Sequence, residues 1–309
     1  MKRVLLTGAT GFIGANCVPL LLDAGYEVHA VTPEGVEASD ERVHWHRADL
    51  LDVAATSALL EDVRPSHLLH LAWFVAPGEY WRSTENLRWL HAGLDLARGF
   101  AEVGGKRSVM AGTCAEYEAS SVPLVEGVTP LRPTTLYGAC KTALHLASAS
   151  YFTEQGVSSA WAHIFYLYGP REYPNRLVPA VVRALMAGEI FECVHPDDVR
   201  DFLYVEDVAA AFVALLDSGV EGDVNIASGE PLRIGALVAE IANEVGRPEL
   251  ISCAAGSARP AITVGDPARL SKEVGFCPRR SRREGVATTV AWWKLQSANR
   301  ARGDGAEIT

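Results

Sequence analysis

This sequence lacks a basic excess, paired cysteines and any internal repeat. The 309-residue chain carries 28 Lys and Arg against 38 Asp and Glu, a formal net charge of −10. Nucleic acids and anionic membranes are normally met by a basic face, so neither is expected as a partner. A small anion is not excluded, because a diphosphate is held by a few local donors at a helix N-terminus whatever the overall sign. The six cysteines, at 17, 114, 140, 193, 253 and 277, form no CxxC pair and have no histidines at zinc-binding spacing. Reduced thiols and no metal site are expected.

A membrane span is also missing. The nineteen residues from Val4 to Leu22 carry no charge, which on length alone would suit a span or a signal-peptide core. Thr7, Gly8, Thr10, Gly11, Gly14, Asn16 and Pro19 interrupt them every few residues, so hydropathy argues against both. A cytoplasmic location is expected. With 49% hydrophobic and 21% charged residues the composition is that of an ordinary folded chain. Its length exceeds the usual size of one core, which predicts a larger half and a smaller lobe.

What is present is a rhythm. Short apolar runs (KRVLLT, YEVHAVT, VHWHRADL, HLLHLA, RSVMAG, SSAWAHIFYL) alternate with amphipathic stretches, among them about Thr84 to Val103 and about Thr135 to Gln155. Nearly continuous apolar strands separated by helices predict a doubly wound parallel α/β sheet. After Gly169-Pro170 the pattern loosens, and a second, substrate-binding lobe is placed there. The expected division is 1–168 joined by 200–229 as the dinucleotide-binding domain, 169–199 and 230–296 as the lobe, and 297–309 as a flexible tail.

The strongest local signal is Thr7-Gly8-Ala9-Thr10-Gly11-Phe12-Ile13-Gly14, between a predicted strand and a predicted helix. Glycines at 8, 11 and 14 permit a tight turn, close approach of a pyrophosphate to backbone N–H groups, and close strand–helix packing. A Rossmann dinucleotide site follows, with Thr10, Phe12 and Ile13 between the glycines. Tyr137 and Lys141 stand four apart on one face of a predicted helix. A phenol with a pKa of about 10 is a poor base at neutral pH, and a nearby ammonium together with a nicotinamide cation would stabilise its phenolate. That spacing alone is also common to any exposed helix. Thr113, at the carboxyl edge of the predicted sheet where ligands of such folds bind, completes the set. Its hydroxyl would hydrogen-bond the substrate oxygen on which Tyr137 acts.

A Gly-x-x-Gly-x-x-Gly start, a strand-end Thr and a Tyr-x-x-x-Lys helix, in this order, resemble the extended short-chain dehydrogenase/reductases of the NAD-dependent epimerase/dehydratase family. The resemblance covers nearly the whole chain, including Asp49-Leu50, His70-Leu71-Ala72, Asn86, Tyr168-Gly169-Pro170 and Arg200-Asp201-Phe202. It implies that Asp49 and Leu50 meet the adenine end of the cofactor and that Leu71 and Ala72 line its channel. Tyr137 and Lys141 would also hold the nicotinamide ribose. Arg200, with help from Arg176, would meet the substrate diphosphate, for which a planar guanidinium is suited. A homodimer through the helices of Asn86 and Tyr137 is implied as well.

Departures from the family pattern narrow the chemistry. Family dehydratases carry an Asp-Glu pair after the catalytic Thr, and here Cys114 and Ala115 stand there, which argues against dehydration. His163 and Tyr166 replace an Arg and an Asn on the following strand. His163 and the loop residue His195 are read as a core-strand and a loop histidine. At the end of the second strand Thr32 replaces the acid that would bind the adenosine ribose of NAD, which leans toward NADP without excluding NAD. The expected activity is reduction of the 4-keto group of a nucleotide-linked deoxysugar, with a nucleotide-sugar 4-epimerase as the alternative. A non-catalytic nucleotide sensor or scaffold is the reading from another class.

Overall fold

The computed structural model describes residues 2–34, 40–255 and 260–302. Its first half runs β1 (Arg3–Thr7), α1 (Gly14–Asp23), β2 (Glu27–Thr32), β3 (Val43–Arg47), α2 (Val53–Val63), β4 (His67–His70), α3 (Glu85–Glu102), β5 (Arg107–Thr113), α4 (Leu136–Gln155) and β6 (Ser158–Ile164). There follow β7 (Tyr166–Tyr168), α5 (Leu177–Met186), β8 (Phe191–Cys193), β9 (Val199–Tyr204), α6 (Val205–Asp217), β10 (Gly222–Ile226) and β11 (Pro231–Arg233). The chain closes with α7 (Ile234–Val245), β12 (Ile251–Cys253), β13 (Ile262–Thr263), α8 (Ala268–Lys272) and α9 (Arg282–Arg302).

Among the described residues seven strands form one sheet in the order β10-β6-β5-β4-β1-β2-β3, every neighbour parallel. This is the doubly wound α/β architecture expected. Alternation along β1 shows why both faces are apolar. Val4 and Leu6 join a core with Cys17, Leu21 and Phe212 of α1 and α6, while Leu5 joins one with Leu60, Phe100 and Leu144 of α2, α3 and α4. Burying the polar start of β5 requires partners. The Arg107 guanidinium donates to Ser158 Oγ, Leu215 O and Val220 O, tying β5 to β6 and to the end of α6.

A second layer follows Tyr166. The strands β11, β9 and β13 pair, β7 joins β9, and β8 pairs with β12. α5, α7 and α9 pack a separate core around Val181, Leu237, Ile241 and Val290. Three expectations change here. The run SSAWAHIFYL is two strands, because Phe165 buries itself beside Tyr117 and Ala227 and the chain crosses from the large sheet to the small one. The segment 200–229 begins in the small sheet as β9 and only rejoins the large one at β10. The expected tail from Ser297 is helical to Arg302, as good helix formers around Leu295 and Gln296 allow; residues 303–309 lie outside the described residues. The uncharged run Val4 to Leu22 divides between β1, a loop and α1. No helix among the described residues is long and apolar enough to cross a membrane.

Candidate active site

The loop after β1 is glycine-rich for steric reasons. Gly8 has φ +71°, and a Cβ there would lie 2.9 Å from Ala72 N. Gly11 N donates to Gly8 O at 3.0 Å, and a Cβ on Gly14 would fall 2.1 Å from Gly8 O. The turn therefore brings β1, the start of α1 and the end of β4 together at backbone distance. Thr7 locks this junction: its Oγ1 accepts from Leu71 N and Ala72 N and contacts His70 Nδ1 at 2.7 Å. Burial pushes His70 down to about 3, with Lys141 adding to the effect, so its ring is neutral and receives the Thr7 hydroxyl.

Above this edge lies a cavity of about 1670 Å³, larger than the roughly 300–1,000 Å³ typical of one small ligand. Gly8, Thr10, Gly11, Phe12, Ile13 and Gly14 line it, with Asp49, Leu50, Leu71, Ala72, Thr113, Tyr137, Lys141, Arg176 and Arg200. The glycine loop, its helix N-terminus and the adjoining apolar channel fit a dinucleotide. Thr32 differs from its neighbours: it is buried, and its hydroxyl accepts from Glu34 N, while Val31 and Pro33 on either side face the cavity.

Thr113 ends β5 and caps the single turn Cys114–Glu116, its Oγ1 accepting from Ala115 N and its N–H donating to Glu116 Oε1 at 2.7 Å. α4 starts beside it, capped by Thr135, whose hydroxyl accepts from Gly138 N. This puts Tyr137 in the first turn and Lys141 one turn further, on the same wall. Lys141 Nζ donates to Ala111 O at 2.8 Å and sits 3.9 Å above the Trp73 ring. Burial lowers Lys141 to about 7, with Glu116 opposing. Burial raises the Tyr137 phenol, while the Thr113 hydroxyl beside it pulls the other way. The expected depression of the phenol by Lys141 is absent from this geometry, because the ammonium is directed at Ala111 O and Trp73.

An aromatic enclosure escaped sequence reasoning. Trp73, Tyr80 and Trp81 meet Tyr137 edge-on at ring-centroid distances of 6.5, 5.0 and 5.7 Å. Asn86 builds it, accepting from Trp73 Nε1 and donating to Tyr80 O and Ser83 O. The available signal was four aromatics, at 73, 74, 80 and 81, in the short loop before α3.

Elsewhere in the cavity lining Arg200 pairs with Asp198 at 2.9 Å and donates to Ala261 O, and Arg176 lies 5.2 Å from the centre of the Tyr80 ring. Glu172, unremarked in the sequence, is buried there, and burial raises it to about 8 against the pull of Arg176. His195 faces the cavity from its loop, whereas His163 lies behind Thr113, wholly buried. Burial raises the Cys114 thiol to about 12, so it offers no acid or base near neutrality.

This chain has relatives. Residues 4–227 match the NAD dependent epimerase/dehydratase family. The dTDP-glucose 4,6-dehydratase of Streptomyces griseus is 25% identical over 313 residues, covering 94% of each chain. The probable UDP-glucuronate 4-epimerase of Rhizobium meliloti (strain 1021) is 27% identical over 337 residues, covering 94% of this chain and 96% of that one. The structure of Thermus thermophilus UDP-glucose 4-epimerase in complex with NAD aligns with a TM-score of 0.81 at 26% identity, covering 94% of this chain and 99% of the other. With the glycine loop, the strand-end Thr and the Tyr-Lys helix in place, the match over most of its length shows that this chain belongs to the NAD dependent epimerase/dehydratase family, as an extended short-chain dehydrogenase/reductase enzyme.

Proposed function

We propose that this enzyme reduces the 4-keto group of a nucleoside-diphosphate 4-keto-deoxysugar. The observation that carries the reading is the lining of the cavity beside Tyr137. The phenol stands on one wall with Thr113, and the neighbouring Cys114 and Ala115 supply no further acid or base, an arrangement that suits a proton donor facing a carbonyl. Thr113 Oγ1 would hydrogen-bond the carbonyl oxygen and Tyr137 would deliver the proton to it. Lys141 holds a proton that titrates near neutrality close by. A nicotinamide dinucleotide, when bound, supplies the hydride. Gly8 through Gly14 would hold its pyrophosphate, Asp49 and Leu50 its adenine end, Leu71 and Ala72 its channel wall, and Tyr137 and Lys141 its second ribose. Thr32 in place of an acid supports NADP.

Residues 1–168 with 200–229 would form the cofactor half, and 169–199 with 230–296 the substrate lobe. Arg176 and Arg200 line the cavity where a substrate diphosphate would be met. Cys114 and Ala115 offer no acid or base for eliminating water, which separates the reading from that of the Streptomyces relative.

A 4-epimerase is the second reading, supported by the Rhizobium relative and by the NAD named with the Thermus structure. Purified protein is incubated with a nucleotide-linked 4-ketosugar and NADPH while absorbance of the reduced cofactor is followed. Stoichiometric loss is expected. No loss, with copurifying NAD and C4 interconversion of a UDP-hexose, would overturn the reductase in favour of the epimerase.

A further inference from the structure

We propose that His145 Nε2, His163 Nε2 and Asp223 Oδ1 form a divalent-cation site, of the zinc class, behind the strand that carries Thr113. The three atoms lie within 4.8 Å of one another. They come from α4, β6 and β10, and none of the three residues lines the nucleotide cavity.

The separations suit a shared ion. Zinc bonds to nitrogen and oxygen of about 2.0–2.2 Å place neighbouring tetrahedral ligands roughly 3.3–3.6 Å apart. His163 Nε2 is 3.5 Å from Asp223 Oδ1, within that range, whereas His145 Nε2 is 2.7 Å from the same oxygen and would have to draw back by about 0.6 Å to share an ion with it. The 2.7 Å contact is of hydrogen-bond length. Even so, Asp223 Oδ1, His163 Nε2, His145 Nδ1 and Glu116 Oε2 are all buried without a well-directed hydrogen bond. Four orphaned polar atoms in one cluster need an explanation, and close approach without mutual alignment is what ligands aimed at a common centre show.

The surroundings are those of a metal site. Glu116 faces the other nitrogen of both rings, with Oε1 3.5 Å from His163 Nδ1 and Oε2 3.8 Å from His145 Nδ1. A carboxylate on that side of a ligating imidazole favours the tautomer that presents the other nitrogen to an ion, and Glu116 stands within electrostatic reach of both rings, though too far from His145 Nδ1 to hydrogen-bond it. Trp161 stacks on His145 at 4.8 Å and 10°, and the Tyr117 ring meets His163 at 4.6 Å, so both ring planes are set. With both imidazoles ligating through an unprotonated nitrogen, the two carboxylates leave two negative charges for a divalent ion to balance. The Asp223 side chain is 25% exposed although its Oδ1 is buried, so the site lies close to the surface. Glu116 also accepts from Thr113 N, so the site would brace the end of β5.

The competing occupant is a proton on His163, held by the same carboxylates. The test uses the full chain, stripped with a chelator and titrated at neutral pH with Co²⁺ and then Zn²⁺. One equivalent should bind with the visible absorption of tetrahedral Co²⁺, and Zn²⁺ at a hundredfold excess over Kd should raise Tm by about 5 °C. Asp223→Asn and His145→Gln should each abolish both signals. His44→Gln, which breaks the other candidate trio of Glu27, His29 and His44, should leave them intact. Absence of stoichiometric binding in the wild type, retention of it by Asp223→Asn, or its loss in His44→Gln alone would overturn the site. If a ligand variant fails to fold, the wild-type stoichiometry and Co²⁺ spectrum, with the His44→Gln control, decide.

Discussion

Lys141 is almost wholly buried, its ammonium against Ala111 O and the face of Trp73. Its folded pKa of about 7 lies below its ordinary 10.5. Between those values the unfolded chain binds the extra proton, so stability rises with pH across that window. Lys141→Met has no such dependence. Denaturant melts from about pH 6 to about pH 10 should therefore move the wild type relative to Lys141→Met in the wild type's favour, by up to about 4 kcal/mol. A constant difference between the two would mean that the ammonium is not desolvated. Tyr137→Phe removes the proton donor but leaves the enclosing rings packed. Its kcat should fall by about 10²–10⁴, read in the cofactor-absorbance assay. Full activity in that variant would return the non-catalytic sensor to consideration.

At the scale of elements the strand β9 is the joint between the two layers, and Asp201 is its fastener. Its buried carboxylate accepts from Ser228 N, Ser228 Oγ, Gly229 N and Gly265 N at 2.8, 2.6, 2.9 and 3.2 Å. One side chain thus satisfies the backbone that follows β10 and the segment that follows β13. Asp201→Ala would leave several of these donors bare and should cost roughly 3–5 kcal/mol in chemical denaturation. A loss under about 1 kcal/mol would show that water replaces the carboxylate freely. The role is structural here, although Arg-Asp-Phe is recognisable in the sequence as a family segment.

For the whole molecule, α3 and α4 pack against each other and turn Leu87 and Leu146 outward, 53% and 59% exposed. These are the helices through which the resemblance implies self-association. Light scattering on the purified protein should give about twice the 33.3 kDa chain mass, and Leu87→Glu with Leu146→Glu should reduce it to the single-chain mass. A wild type that runs as a single chain at tens of micromolar would contradict the homodimer.

The α/β class, the glycine turn and the Tyr137-Lys141 helix were readable because each rests on local periodicity or on neighbouring residues. Gly14 is needed by a carbonyl six residues before it, a distance that a motif can express. Other features joined residues that the chain separates widely. Trp73 reaches Lys141 only because β4 and β5 lie side by side, and His145, His163 and Asp223 meet only because α4, β6 and β10 converge. Glu116 belongs to none of the motifs read from the sequence, and only packing shows it buried beneath Thr113. Strand pairing follows from burial of both sheet faces, a property of the assembled layers that no short window of sequence contains. Residue types and local spacing were thus sufficient for the family and the α/β class, while the enclosure around Tyr137, the state of Lys141 and the histidine cluster arose from long-range packing and the removal of water.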